Sequence, residues 1–190
     1  MSEDIRGPWR RLNSRQVYDN PWLEVRHEEV ITPGGTNGIY GVVHFKNRAI
    51  GILPIDDEQH TWLVRQFRYT INQPCWELPM GGGPLDQSPK MCARRELAEE
   101  VGLHAERLDE LLRVHVSKSV TDEEAIVFVA RGLSYVGAQL EETEADLEVL
   151  RLPLAEAVEW ALDGRITDVI SIAALLKAER WLAAQPAGGV

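Results

Sequence analysis

Apolar and polar residues alternate in short stretches near the start of the chain, and this pattern predicts β-strands. Residues 23–27 alternate and residues 39–45 do so again, while the Pro-Gly-Gly sequence at 33–35 is typical of a turn between two strands. The first forty or so residues are therefore predicted to form a small strand-rich region.

The next two predicted strands are more apolar. Residues 49–55 are almost continuously apolar, which is typical of a buried strand, and residues 61–67 resume a strand pattern. The polar residues 56–60 are predicted to be the tip of a hairpin that joins them.

A helix is predicted after a glycine-rich stretch. The glycines at 81–83 indicate irregular backbone rather than regular structure. Ser88 is a good helix cap and Pro89 suits the first helical position. The helix is expected to run to Val101, because Gly102 is a natural stop.

The second half of the chain mixes strands and helices, with a glutamate-rich loop at 138–145. The predicted strands are at 111–115, 125–130 and 149–152, and two helices follow at 154–162 and 168–183. Because the spacing is not that of regular βαβ units, we expect an α/β fold with a mixed β-sheet sandwiched between helices, not a doubly wound parallel sheet.

Composition and charge narrow the functional classes. The 190 residues are 44% hydrophobic and 26% charged, which excludes wholesale disorder. The net charge of −10 argues against a general nucleic-acid binder, which needs a basic face. A protein of this charge that binds an anion needs a local device, such as metal ions, to overcome the repulsion.

The cysteine content and the lack of long apolar runs indicate a cytoplasmic protein. Cys75 and Cys92 form no CxxC pair and are expected to be reduced thiols. The N-terminal residues lack the apolar stretch of a signal peptide, and no run reaches membrane-spanning length. We therefore expect no membrane partner.

The densest candidate chemistry lies at the end of the predicted helix. At about 100° per residue, Glu96, Glu99 and Glu100 fall on one helical face, where they repel one another near the negative end of the helix dipole. Hard divalent cations such as Mg²⁺ and Mn²⁺ relieve such repulsion. Three apolar residues fall on the adjoining face and are expected to be buried, namely Ala93, Leu97 and Val101.

Taken alone, such a run is more often a solvated acidic face, and a glycine-rich stretch is more often a plain loop. The glycines match neither a P-loop nor a GxGxxG motif. Their position just upstream of the glutamates, where backbone groups could reach the same point, favours a site.

Residues 81–103 together resemble the signature of the Nudix hydrolases. That signature is Gly, five residues, Glu, seven residues, Arg-Glu, an aliphatic residue, any residue, Glu-Glu, any residue, Gly and an aliphatic residue. The matching positions are Gly81, Arg95, Glu96, Leu97, Glu99, Glu100, Gly102 and Leu103. One position departs from the pattern, because Gln87 stands where the family has its first glutamate.

The likeness extends beyond the signature to one branch of the family, the ADP-ribose and nucleoside-diphosphate-sugar pyrophosphatases. Residues 65–69, 76–81 and 163–168 resemble motifs of that branch. The branch also carries a strand-rich N-terminal extension that contacts the partner in a homodimer. The resemblance thus implies an extension at 1–45, a Nudix domain at 46–190 and a homodimer.

The resemblance implies a metal-dependent pyrophosphatase that cleaves ADP-ribose or a related nucleotide sugar to a nucleoside monophosphate and a sugar phosphate. Glu96, Glu99, Glu100 and the Met80 carbonyl would bind Mg²⁺ or Mn²⁺. The general base would be Glu142 or Glu144 in the glutamate-rich loop, with Glu99 as the fallback. Arg95 and Gln87 would be structural, with a weakened contact between them.

The same resemblance suggests substrate contacts, each of which has a plainer structural alternative. Arg68 would hold a diphosphate oxygen, Glu77 would bond the ribose or anchor its loop, and aromatic residues would stack on the nucleobase. The candidate substrate-binding residues are Arg68, Glu77, Gly81, Ser117, Glu123, Trp22 and Tyr40. GDP-mannose and ADP-glucose are rival substrates, and a module that binds a nucleotide sugar without cleaving it is a rival function.

Overall fold

The structure, a computed structural model, describes residues 4–138, 140, 142 and 145–184. The chain divides into two compact units. The first comprises the N-terminal residues up to Arg48 together with residues 115–123, and the second comprises residues 49–114 and the chain from Glu124 onwards.

The first unit is built on a four-stranded antiparallel sheet in the order β1-β2-β3-β4. Residues 115–123 join it at β4, where the Val43 amide donates to the Val120 carbonyl at 2.8 Å. The strands are β1 (Asp4–Arg6), β2 (Trp9–Asp19), β3 (Leu23–Ile31) and β4 (Asn37–Phe45). The strand-rich character predicted for this region is confirmed.

The second unit contains two sheets. One has the order β8-β5-β10-β9, with β5 and β10 parallel, and the other has the order β11-β6-β7 and is antiparallel. The strands are β5 (Asn47–Pro54), β6 (His60–Arg68), β7 (Gln73–Glu77), β8 (Met80–Pro84), β9 (Leu103–His115), β10 (Glu124–Tyr135) and β11 (Glu148–Pro153). The mixed α/β class predicted from the sequence is therefore confirmed.

The turn at 56–60 is not a hairpin tip, and that prediction was wrong. The strands on either side of it belong to different sheets, since β5 pairs with β10 while β6 pairs with β7 and β11. Local sequence marks the reversal of the chain, but two of the pairing partners, β10 and β11, come from residues far along the chain.

The helices lie close to where the sequence predicts them. The first begins at Pro89 and ends at Gly102, whose φ of 72° is left-handed. Ser88 holds the cap position without a side-chain capping bond. The helices are α1 (Pro89–Glu96), a π-helix that continues it (Leu97–Val101), α2 (Leu154–Asp163) and α3 (Val169–Ala183). Among the described residues, no helix is long and apolar enough to cross a membrane.

The helices pack against the strands of the second unit and close its core. α1 contacts β8 and β10, α2 contacts β6 and β11, and α3 contacts β10. The core includes side chains with no solvent exposure, such as Ile50, Leu63, Leu97 and Ile126. Ala93 and Leu97 are fully buried and Val101 is 6% exposed, so the predicted apolar face is confirmed.

The glycine run forms strand β8, so the prediction of irregular backbone for residues 81–83 was wrong. The reason for the glycines is space rather than flexibility. A Cβ atom on Gly83 would lie 2.6 Å from Cγ1 of Ile50, and one on Gly81 would lie 2.1 Å from a carboxylate oxygen of Glu96. Glycine inside a strand often marks such a close approach.

Gly83→Ala is therefore expected to lower the free energy of unfolding by about 1–3 kcal/mol, because the added methyl group overpacks a buried site. Gly41→Ala in β4 is the matched control, since nothing lies within 4 Å of its Cβ position. Urea denaturation followed by circular dichroism measures both. An equal effect of the two substitutions would contradict the steric explanation.

Candidate functional site

The three signature glutamates lie where the helix changes from α to π geometry. Glu96 is the last residue of α1, and Glu99 and Glu100 lie in the π-helix. Glu96 is 5% exposed and Glu100 is 4% exposed, whereas the side chain of Glu99 is 30% exposed. The wider π turn alters the angle between successive side chains, so uniform α-helical spacing does not describe this face. Single π turns inside helices occur frequently at functional sites.

Glu96 and Glu100 lie against the start of β8. The backbone amide of Met80 donates a hydrogen bond to Oε2 of Glu100 at 3.0 Å. The carboxylate of Glu96 occupies the space that a side chain at Gly81 would fill. The two nearly buried carboxylates thus lie beside adjacent residues of β8, Glu100 at Met80 and Glu96 at Gly81.

Arg95 holds the more exposed side of the cluster. Its guanidinium contacts Glu96 at 2.7 Å and Glu99 at 3.1 Å, and it donates to the Gly82 carbonyl at 3.1 Å. Burial opposes the charge of Arg95, but the neighbouring Glu96 and Glu99 carboxylates outweigh it and raise the pKa of the guanidinium. The arginine therefore fixes the helix to β8.

Gln87 is connected to this network through Cys92, which also interacts with Arg95. Its amide oxygen accepts a hydrogen bond from the Cys92 thiol, with a sulfur–oxygen distance of 3.7 Å. Its backbone amide donates to the Pro84 carbonyl at 3.1 Å. Gln87 thus organises the turn that leads into α1, while Arg95 is held by the glutamates.

The donors at this cluster suit a hard divalent cation. Carboxylate oxygens and backbone carbonyls are the ligands that Mg²⁺ and Mn²⁺ prefer. The missing side chain at Gly81 leaves room for a carboxylate beside the backbone at that point. Glu96, Glu99, Glu100 and the Met80 carbonyl could therefore hold such an ion.

A different acidic group has the tightest spacing. Within the described ranges, the one set of three His, Cys, Asp or Glu side chains with ligand atoms within 4.8 Å of one another is Asp56, Glu58 and His60. Arg151 contacts Asp56 at 2.6 Å and Glu58 at 2.5 Å. The guanidinium already balances these carboxylates, so the cluster is explained as an ion-pair network at the turn after β5.

Glu77 is a buried carboxylate at the end of β7, and Arg68 at the end of β6 pairs with it. Burial raises the pKa of Glu77 above its ordinary value, although the charge of Arg68 acts in the opposite direction. The side chain of Arg68 is 41% exposed, whereas that of Glu77 is 6% exposed.

The residues between Glu77 and Met80 are fixed by hydrogen bonds from two other elements. The Leu78 amide donates to the Ser171 hydroxyl at 2.9 Å, and the Pro79 carbonyl accepts from the Ile52 amide at 2.9 Å. Ser171 in turn donates to Oδ2 of Asp168 at 2.6 Å. Sequence reasoning missed Ser171 and Asp168 as site residues. The local signals were the suitability of Asp168 as a cap for α3 and its place at the end of the motif at 163–168.

The remaining substrate-binding candidates lie in the first unit. Trp22 is 65% exposed. Tyr40 packs edge-on against Trp9 at 5.6 Å, and its hydroxyl donates to the Ser119 carbonyl at 2.8 Å. Ser117 and Glu123 belong to the segment that joins β4 in this unit.

The candidate general bases are only partly described. Glu142 is an exposed residue of the glutamate-rich loop. Glu144 lies outside the described residues. Glu99, the fallback, is within the π-helix and pairs with Arg95.

Glu77→Gln should change how stability depends on pH. Because the folded-state pKa of Glu77 is raised, its contribution is fully present below the pKa of the unfolded chain and is lost as pH rises through the folded-state value. The free energy of unfolding of the native chain, relative to Glu77→Gln, is therefore expected to fall as the pH rises from acidic towards neutral values.

Urea denaturation across that pH range measures the difference. Adding Arg68→Gln to both chains removes the attraction that lowers the pKa of Glu77, so the loss should extend to higher pH. If the native chain instead became more stable relative to Glu77→Gln as the pH rises, the ion pair with Arg68, and not burial, would dominate the pKa of Glu77.

Comparisons with known proteins agree with this arrangement. Residues 45–171 match the family model described as the NUDIX domain, and residues 9–43 match the nucleoside diphosphate sugar hydrolase N-terminal domain. The chain is 35% identical over 170 residues to an ADP-ribose pyrophosphatase of Mycobacterium tuberculosis, covering 87% of this chain and 80% of the relative. It is 26% identical over 166 residues to a methanol dehydrogenase activator of Bacillus methanolicus, covering 86% and 89% of the two chains.

A solved structure supports the fold. A crystal structure described as that of an ADP compounds hydrolase aligns with a TM-score of 0.82 and 24% identity, over 92% of this chain and 94% of that chain. Since the NUDIX model covers more than half of the sequence and the signature glutamates meet β8 at its glycines, the chain belongs to the Nudix hydrolase family.

Proposed function

We propose that this Nudix hydrolase cleaves the pyrophosphate bond of ADP-ribose or a closely related nucleoside diphosphate sugar. The products are a nucleoside monophosphate and a sugar phosphate. The observation that carries the proposal is the seating of two nearly buried glutamates, Glu96 and Glu100, against Met80 and Gly81. The likeness to an ADP-ribose pyrophosphatase supports the choice of substrate.

Glu96, Glu99, Glu100 and the Met80 carbonyl are proposed to hold Mg²⁺ or Mn²⁺. When bound, such an ion supplies positive charge to the phosphate oxygens and activates water. The net charge of −10 makes this local positive charge necessary for a diphosphate to approach. The role of the chain is to preset the carboxylates, which Arg95 and the Met80 amide do through the bonds described above.

Arg68 is proposed to bind a diphosphate oxygen of the substrate. Its guanidinium pairs with Glu77 and its side chain is partly exposed, so further N–H groups can bind a ligand. Glu77 then orients Arg68, and it contacts the ribose or anchors the loop that begins at Leu78.

The first unit is proposed to take part in dimerisation and in substrate recognition. Trp22 and Tyr40 are candidates for stacking on the nucleobase, and Ser117 and Glu123 are candidates for contacts with the distal sugar. The β1–β4 sheet exposes large apolar side chains, which supports a homodimer as the working form. These exposed residues include Ile5, Leu12, Val17, Tyr18 and Ile39, and Trp22 in the connection between β2 and β3 is exposed as well.

The enzyme is also proposed to work in the cytoplasm. Cys75 and Cys92 are buried free thiols, as expected for a protein of the reducing cytoplasm. Nucleic acid is not a proposed partner, because the chain is strongly acidic, and a membrane is not, because no apolar run in the sequence reaches membrane-spanning length.

A panel of nucleotide sugars tests the substrate class. ADP-ribose, ADP-glucose and GDP-mannose, each incubated with Mg²⁺ or Mn²⁺, are assayed for release of nucleoside monophosphate by chromatography. We expect ADP-ribose to give the highest kcat/KM. Tight binding of these compounds without any monophosphate release would favour the rival function, a sensor that does not cleave its ligand.

Glu100→Gln tests the metal site with little change in shape. Glutamine keeps an acceptor oxygen for the Met80 amide but loses the charge that a cation needs. Turnover with Mg²⁺ is expected to fall by about 100-fold or more, since a charge interaction with the metal is worth several kcal/mol. Unchanged turnover, with thermal unfolding as the folding control, would remove Glu100 from the metal site.

The general base is tested by the matched set Glu142→Gln, Glu144→Gln and Glu99→Gln. Loss of the base is expected to lower kcat by about 100-fold or more with little change in KM, because proton transfer contributes to the transition state only. We expect a loop variant, Glu142→Gln or Glu144→Gln, to show this signature. If Glu99→Gln alone shows it, with an unchanged affinity for Mn²⁺, the base lies in the helix, because loss of Glu99 as a metal ligand would also lower that affinity.

A further inference from the structure

We propose that Ser171, oriented by Asp168, is a positioning residue that fixes residues 78–81 for metal binding. The inference rests on the proposed function for its metal, but it concerns Ser171 of α3 and its N-cap residue Asp168, neither of which is a proposed metal ligand. The action passes through the backbone of Leu78.

The first step is the bond between α3 and the chain just ahead of β8. Ser171 and Leu78 are both without solvent exposure, and the Leu78 amide donates to the Ser171 hydroxyl at 2.9 Å. A buried amide that loses its acceptor is strongly destabilised, so the segment would move to find another partner. The serine thus holds the backbone two residues before Met80.

The second step is the orientation of that hydroxyl. Oδ2 of Asp168 accepts from the Ser171 backbone amide at 2.7 Å and from the Ser171 hydroxyl at 2.6 Å. Because the hydroxyl proton is committed to the carboxylate, its lone pairs face the Leu78 amide. A charged acceptor makes this bond stronger than a neutral one would.

The third step is the link to the metal ligands. Beyond Leu78, the Pro79 carbonyl accepts from β5 and the Met80 amide donates to Glu100. A shift at Leu78 therefore moves the Met80 carbonyl and disturbs the bond that orients a proposed ligand. Supporting groups of this kind commonly change metal affinity by about 10–100-fold when they are removed.

Ser171→Ala removes the acceptor of the Leu78 amide. The dissociation constant for Mn²⁺ in the substrate-free protein is expected to rise about tenfold. Electron paramagnetic resonance of free Mn²⁺ measures it. With ADP-ribose, kcat at fixed Mn²⁺ should fall similarly and recover in part at higher Mn²⁺, with KM little changed. The matched control is Lys177→Gly, at an exposed position further along α3, which weakens the helix by propensity alone. It should keep the Mn²⁺ affinity of the native chain.

Asp168→Asn separates positioning from helix capping and serves if Ser171→Ala does not fold. Asparagine caps helices as well as aspartate does, but it forms a weaker bond to the serine hydroxyl. We expect a partial loss of Mn²⁺ affinity and kcat with an unchanged melting temperature. If Asp168→Asn and Ser171→Ala bind Mn²⁺ as Lys177→Gly does, the positioning role is overturned.

Measuring both Mn²⁺ binding and activity keeps this proposal distinct from the proposed function. Should the native chain cleave no nucleotide sugar, the proposed function fails, while the Mn²⁺ titrations of the variants still decide the positioning role. Should the native chain be active and the Ser171 variant bind Mn²⁺ equally well, only the positioning role fails.

Discussion

The structure of the site depends on how the short segment at 78–81 is held in place. Hydrogen bonds from α3, β5 and the π-helix reach three successive residues, Leu78, Pro79 and Met80. Gly81 then passes so close to Glu96 that no side chain would fit. Since each bond comes from a different element, no single element can shift without disturbing the segment. One proposed metal ligand, the Met80 carbonyl, lies on this segment, and Glu96 and Glu100 lie against it.

Burial of the carboxylates in this region opposes their ionisation, and neighbouring arginines compensate part of that cost. Glu96, Glu100 and Glu77 are each almost without solvent exposure, which is costly for a carboxylate. Arg95 and Arg68 offset part of that cost from the more exposed side. A fold selected for stability alone gains little from three buried carboxylates, so their presence is best explained by the chemistry proposed for them.

The glycines of β8 show the same relation between site and packing. A strand normally gains from larger side chains, and glycine weakens it. Here Gly81 and Gly83 allow the helix and the neighbouring strand to approach β8 within distances that an added Cβ would prevent. The close packing of Glu96 and Ile50 against β8 offsets the low strand propensity of these glycines.

The sequence alone determined the identity of most elements, the buried face of the helix and the family, because these depend on local spacing. The alternation at β3 and β4, the stop at Gly102 and the helix predicted at 168–183 all depend on neighbours in the chain. The signature spacing of the glutamates is equally local.

Only the tertiary structure decided how distant residues meet. It separated β5 from β6 into different sheets, made a strand of the glycine run and introduced the π turn at Glu96. It also joined Ser171 to Leu78, 93 residues away in the chain. Strand pairing, close packing and hydrogen bonds across such separations depend on three-dimensional neighbours, and periodicity in the sequence carries no information about which neighbours those are.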